Sequence, residues 1–177
     1  TSTVTVTNTA PVIGAVTLSP STATEGTTLS CTASGTTEAD GTNSFSYTYT
    51  WYVNNVQVAT GVTLTSADFD KNDSVYCSAV ASDGNATSAS VNSASITVDN
   101  SSPIVTSVSV APTSPTTSDT VVYTASGWSD ADGDTEGYDV FWFVNGNQVS
   151  TSETLTAPSF SVGDSIYVQL TANDGQD

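Results

Sequence analysis

Apolar side chains recur at every second position in short runs along this chain, and no stretch carries the stripe of a helix. The clearest run is 47–53, where Tyr47, Tyr49, Trp51 and Val53 share one face and Thr48, Thr50 and Tyr52 take the other. Such alternation predicts a strand with one buried and one wet face. Turn chemistry punctuates the runs. Asn54-Asn55 and Asn145-Gly146 stand where a tight hairpin needs positive φ, and Asp83-Gly84 and Asp174-Gly175 are common turn pairs. In the first half this predicts strands near 12–19, 27–34, 46–53, 55–59, 61–66, 73–82 and 91–98. Seven short strands in about 90 residues indicate an antiparallel two-sheet β-sandwich.

The pattern then repeats. TTLSCTASG at 27–35 is answered by DTVVYTASG at 119–127, TWYVN at 50–54 by FWFVN at 141–145, and DSVYCSA at 73–79 by DSIYVQL at 164–170. Ordered matches at a nearly constant offset imply tandem copies of one domain. The expected organisation is a first sandwich over 9–99 and a second over 100–177 without its own last strand. Residues 1–8 read as the last strand of a preceding or neighbouring repeat. Val4 and Val6 alternate with Thr3, Thr5 and Thr7, much as Ile96 and Val98 alternate with Ser95 and Thr97. Both segments run into an Asn and then a Pro, at Asn8–Pro11 and Asn100–Pro103. The leading segment should therefore complete the second sandwich of another copy, or of an adjacent repeat, head to tail.

Composition narrows the function. Hydrophobic residues make up 37% of 177 residues and aromatics 8%, enough for two thin cores but lean for one large α/β enzyme. The abundant β-branched Thr suits a half-wet pleated surface. No run of apolar residues is long enough to span a membrane, so direct membrane insertion is not expected. The net charge is −17, with Lys71 the one basic residue and no His. Nucleic-acid binding, which needs clustered Lys and Arg, is excluded as an expectation. Without His, the usual general base near neutral pH is missing, so we expect no enzyme. Carboxylates alone can hydrolyse glycosides, which makes catalysis disfavoured rather than forbidden. So much negative charge repels itself unless salt or bound cations screen it.

Cys31 and Cys77 fall in the strands near 27–34 and 73–82, with Trp51 in the strand between them. This order resembles the immunoglobulin signature, and the resemblance implies an inter-sheet disulfide packed on the Trp and hence an oxidising compartment. Two buried free thiols are the alternative. The second half keeps Trp142 but has Tyr123 and Val168 at the cysteine positions, so the fold should not require the bridge. Val75 stands where antibody domains carry a Tyr two residues before the second Cys. The Trp-x-Val-Asn hairpins, the Asp-Gly pairs and the Asn-x-x-Pro linkers are more similar to tandem immunoglobulin-like, PKD-like and cadherin-like repeats of bacterial and archaeal surface proteins. That resemblance covers the whole chain, although the WDFGDG run of PKD domains is missing. It implies an all-β fold of two tandem immunoglobulin-like antiparallel β-sandwiches, at the cell surface.

Candidate chemistry is acidic. Asp130, Asp132, Asp134 and Glu136 alternate around Gly133. Oxygen ligands at every second position of a loop can converge on calcium, and Gly permits the sharp turn. A weaker copy is Glu38, Asp40 and Asn43, with Asp83 in the following turn. In an immunoglobulin-like sandwich Asp174, and Asp99 with Asn100 in the linker, should approach the 130–136 loop, and cadherin-like repeats place calcium at such junctions. Simple turn-making is an equally good reading of Asp83 and Asp174. Asn72, Asn85 and Asn100 begin N-x-S/T sequons, glycan sites in a host that glycosylates. Lys71 sits in a turn and should face solvent.

These features lead to a structural repeat segment of an extracellular filament, stalk or surface layer, calcium-stabilised and assembled head-to-tail. The rival is an adhesin or carbohydrate-binding module that uses Tyr52, Phe141 and Phe143 on a surface glycan or protein ligand. A third reading is a pair of spacer domains in a larger secreted enzyme.

Overall fold

In the computed structural model, which describes residues 1–41 and 44–176, the chain divides into two units, Thr1–Asn100 and Ser101–Asp177. Both are all-β, and among the described residues no α-helix occurs and no helix is long and apolar enough to cross a membrane.

Unit one contains β1 (Ala15–Ser19), β2 (Leu29–Ser34), β3 (Ser46–Val53), β4 (Val56–Thr60), β5 (Thr63–Leu64), β6 (Ser74–Ser82), β7 (Val91–Asn92) and β8 (Ile96–Thr97). One sheet has the order β1-β2-β5. The other runs β4-β3-β6-β7, with β8 also on β6, and every pairing is antiparallel. The alternation of β3 turns one of its faces toward the other sheet. Trp51 and Val53 point inward, fully or nearly fully buried, and Tyr47 and Tyr49 pack behind them. Leu29, Cys31 and Leu64 meet them from the first sheet, and Val75, Cys77, Ala79 and Ala81 line the inner face of β6. Each large apolar side chain buried in this way contributes roughly 1.5–3 kcal/mol. The Cys31–Cys77 disulfide ties β2 to β6, and Cys77 stands directly opposite Trp51 in the sheet register.

Unit two contains β9 (Ser107–Ala111), β10 (Val121–Ser126), β11 (Gly137–Val144), β12 (Asn147–Ser150), β13 (Thr154–Leu155) and β14 (Ile166–Asn173). Its sheets have the orders β13-β10-β9 and β12-β11-β14. Val121 and Leu155 from one sheet meet Val140, Trp142, Val144 and Val168 from the other, and Phe160 is buried in the same core.

The same internal fastenings hold both units. The Trp51 indole N–H donates to the Gly61 carbonyl at 2.9 Å, and that of Trp142 donates to the Ser152 carbonyl at 2.9 Å. In the hairpins, Asn54 and Asn145 hold φ of 50° and 51°. A left-handed backbone is costly for most residues, and Asn tolerates it best after Gly. Here the side chain also repays the strain. Asn54 Nδ2 donates to Asp73 Oδ1 at 2.6 Å while its Oδ1 accepts the Ser74 N–H at 3.0 Å. Asn145 does the same with Asp164 at 2.7 Å and Ser165 at 3.0 Å. On the outer face Tyr52 stacks on Tyr76 at 4.9 Å between centroids, and Phe143 on Tyr167 at 4.7 Å.

Two expectations change. The single strand expected near 91–98 is two, because three residues, Ser93–Ser95, stand opposite two of β6. This bulge is held by Ser93, whose Oγ accepts the Cys77 N–H and whose own N–H donates to the Cys77 carbonyl. Lys71 is partly buried rather than solvent-facing. Its N–H donates to Glu25 Oε1 at 3.0 Å and its ammonium to Asn100 Oδ1 at 3.1 Å.

Candidate functional site

The acidic loop of unit two follows β10 and precedes β11, and the turn after β14 comes back beside it. Asp130 Oδ1 accepts the N–H of Asp132 at 2.8 Å and of Asp134 at 3.2 Å, which curls the loop around its first carboxylate. Gly133, at φ of 70°, makes the bend between them. As a result Asp130, Asp134 and Asp174 each bring one carboxylate oxygen within 4.8 Å of the others. Two oxygens on opposite sides of a calcium ion, each about 2.4 Å from it, would be about 4.8 Å apart. Asp130 Oδ2 is buried and has no hydrogen-bond partner. A buried carboxylate oxygen without a donor is unfavourable unless a cation meets it.

The other acids of the loop are used differently. Asp132 Oδ2 accepts the Ser101 N–H at 2.6 Å, so it fastens the incoming chain. Glu136 Oε1 accepts the Tyr138 hydroxyl at 2.5 Å. Gln176 donates its side-chain amide to Asp134 Oδ2 at 2.9 Å and its N–H to Asp174 Oδ1 at 2.7 Å. Asp174 is therefore turn-maker and cluster member at once. Asp99 and Asn100 belong to unit one, where the Asp99 N–H donates to the Ala23 carbonyl at 2.7 Å and Asn100 accepts from Lys71.

The weaker copy in unit one is fastened by the chain that enters it. Asp40 accepts the Thr9 N–H at 2.5 Å and the Thr9 hydroxyl at 3.3 Å, and Glu38 Oε1 accepts the Asp40 N–H at 3.0 Å. Asp83 Oδ1 accepts the N–H of both Asn85 and Ala86 at 2.7 Å, and its Oδ2 the Asn8 amide at 3.0 Å. The Ala86 N–H, then the Asn8 amide and the Asn85 N–H, hold the Asp83 carboxyl below the ordinary carboxylate range. Asn43 lies outside the described residues. The Thr9–Asp40 and Ser101–Asp132 bonds are one fastening repeated, which sequence reading missed. The signal available was the matching place of Thr9 and Ser101 after Asn8 and Asn100.

Of the sequon residues, Asn72 and Asn85 are exposed, and Asn100 is partly buried. Phe141 and Phe143 are partly buried on the outer face of β11, where Phe143 stacks on Tyr167. No protein-family model matches this sequence, and neither does any curated protein.

Proposed function

We propose that the chain is a non-catalytic structural segment of an extracellular filament, stalk or surface layer, built from tandem immunoglobulin-like repeats. The observation that carries this reading is the recurrence of one set of fastenings in both units. Indole to loop carbonyl, hairpin Asn to Asp, and entering backbone to loop aspartate each occur twice. These bonds hold the sandwich and its approach rather than present reactive groups, which suits a repeated spacer. The disulfide supports an oxidising setting such as the cell exterior.

Calcium fits the same reading. Asp130, Asp134 and Asp174 would hold it, and the ion would offset their mutual repulsion and satisfy Asp130 Oδ2. Chelation should then lower the melting temperature of unit two, and millimolar calcium should restore it. A melting curve indifferent to both would remove calcium from the proposal.

The structural role is tested by pulling on the chain from its two ends. Two resisted unfolding events are expected. Reduction should lengthen the extension of unit one by about 150 Å, since 46 residues separate the bridged cysteines and each spans roughly 3.4 Å. Units that give way without measurable resistance would overturn a load-carrying role. Antibody labelling of intact producing cells checks the location, and a signal seen only after permeabilisation would overturn an external one.

A further inference from the structure

Unit one carries a polar depression on its larger sheet. It has a volume of about 270 Å³ and is lined by Asn55, Ser74, Tyr76, Asn92, Ser93 and Ser95. The sheet explains its place. β6 has β3 on one side and β7 with β8 on the other. Tyr76 alternates with the buried Val75 and Cys77, so its ring projects from the outer face. Toward β3 that ring is stacked on Tyr52, at 4.9 Å between centroids and 8° between planes. The depression lies on the β7 and β8 side, where the bulge at Ser93–Ser95 sets an extra residue opposite β6. The ring face that Tyr52 leaves free is therefore the one that borders it. Asn55, in the β3–β4 hairpin at φ of 65°, adds a carboxamide to the lining.

The polar groups here are uncommitted. Ser93 holds the bulge, accepting the Cys77 N–H and donating to the Ala94 carbonyl. Among the described residues, no hydrogen bond engages the carboxamides of Asn55 and Asn92 or the hydroxyls of Ser74, Tyr76 and Ser95. The fastening amides of Asn8, Asn54 and Asn145, by contrast, are each bonded to an aspartate. The lining also carries no charged side chain, on a molecule of net charge −17.

We propose that this depression binds one sugar residue of a neutral saccharide. The sugar stacks on the free face of Tyr76, and the amides of Asn55 and Asn92 with the hydroxyls of Ser74 and Ser95 hydrogen-bond its rim. The chemistry of the lining selects this occupant. A pyranose turns weakly positive C–H groups to one side, which suit the negative face of an aromatic ring. Its hydroxyls both donate and accept, as do carboxamides and serine hydroxyls. An anionic saccharide would be repelled by the net charge, and a cation would find no carboxylate in the lining. A protein partner requires an apolar centre to bury, and one ring among five polar side chains does not supply it. Tyr52, which the sequence singles out for a glycan, serves instead as the backing of Tyr76. In unit two the stack recurs as Phe143 on Tyr167, but Gly146 stands at the place of Asn55 and one amide is lost. The proposal stands apart from the structural-segment reading and adds a ligand to it.

The test uses the whole 177-residue chain, followed by NMR. Hexasaccharides of glucose, mannose and N-acetylglucosamine are the probes, with a galacturonic acid hexasaccharide as the anionic control. At least one neutral probe should shift the side-chain amide signals of Asn55 and Asn92 and the backbone signals of Ser93–Ser95. Saturation with a Kd on the order of 1 mM suits so open a site. Tyr76→Ala should weaken binding about tenfold through loss of the stacking face. That change also breaks the stack with Tyr52, so Asn55→Gly is the second variant. Glycine accepts the positive φ there, so the melting curve should stay in place while affinity falls roughly fivefold. No saturable shift with any neutral probe at tens of millimolar would overturn the proposal. So would shifts confined to residues elsewhere, an affinity that Asn55→Gly leaves unchanged, or a preference for the acidic control.

Discussion

Units one and two solve the same packing problem with different materials. In unit one the space beside Trp51 is filled by the Cys31–Cys77 bridge. In unit two the cysteine positions hold Tyr123 and Val168, and the place of the bridge is taken by rings. Tyr123 lies 6.5 Å from Trp142 and 6.3 Å from Tyr138, which in turn meets Trp128 edge-on at 5.7 Å. The Tyr123 hydroxyl leaves the core to donate to Glu153 at 2.7 Å. What the two units share is the indole bond and the Asn–Asp hairpin clamp. The comparison therefore assigns the fold to the clamp and the central Trp, and treats the cross-link as an addition to one copy. Aromatic pairs of this kind are worth about 0.5–1.5 kcal/mol each beyond their buried area, so two or three approach but do not equal a covalent closure.

Removing the bridge breaks the comparison most strongly. Cys31→Ala with Cys77→Ala should cost unit one about 4 kcal/mol, from reopening a loop of 46 residues in the unfolded chain. Unit two should be unaffected. Denaturant unfolding followed separately by the fluorescence of Trp51, and of Trp142 with Trp128, will resolve the two transitions. Equal losses in both would mean that the units do not unfold independently.

A smaller effect separates the units in the opposite direction. Gly127 has φ of 72°, and a Cβ there would lie 1.9 Å from Thr106 Oγ1. At Gly35, with φ of 63°, the nearest atom would be the Gly14 Cα at 3.6 Å. Gly127→Ala should thus cost about 2–3 kcal/mol and Gly35→Ala about 1 kcal/mol, the latter from backbone strain alone. Thermal melts of the two variants check this, and equal shifts would show that Thr106 turns aside freely. Where the units are alike, the effects should be alike. Asn54→Gly and Asn145→Gly keep the positive φ but lose both clamp bonds, so each should cost about 1 kcal/mol in its own unit.

Much of this architecture was readable from local pattern, because strands, hairpins and repeats are written in short-range alternation. The inward set Tyr47, Tyr49, Trp51 and Val53 follows from period two alone. What could not be read are choices made by distant partners. Asp130, Asp132 and Asp134 look equivalent in an alternating run. The bend at Gly133 and the Ser101 N–H divide them into a cluster of two that recruits Asp174 and a fastening of one. Glu136 turns to Tyr138 instead of the cluster. Lys71 occupies a turn, the usual place for a solvated side chain, yet its ammonium donates to Asn100, 29 residues away, and its backbone N–H to Glu25, 46 residues away. The bulge at Ser93 likewise depends on a side chain standing in for backbone, which periodicity does not record.

The gentlest probe of the difference between the units is pH. Burial first, then the hydrogen bond to Glu153, pushes the Tyr123 phenol up to about 12, and the bond to Glu136, then burial, pushes Tyr138 up to about 12. In each case the neutral phenol donates to a carboxylate, so ionisation would set two negative charges face to face. A group whose folded pKa lies above its unfolded value, here about 10, stabilises the fold fully below that value. Its contribution is lost as pH rises from about 10 through about 12. Unit two should therefore weaken across that window by a modest amount, since both hydroxyls are largely open to solvent screening. Ultraviolet difference absorbance should follow the ionisation of Tyr123 and Tyr138 near pH 12. Glu153→Gln keeps an acceptor but removes the charge, and should move the Tyr123 step alone toward lower pH. A step that stays in place would assign the shift to burial beside Trp142, not to the carboxylate.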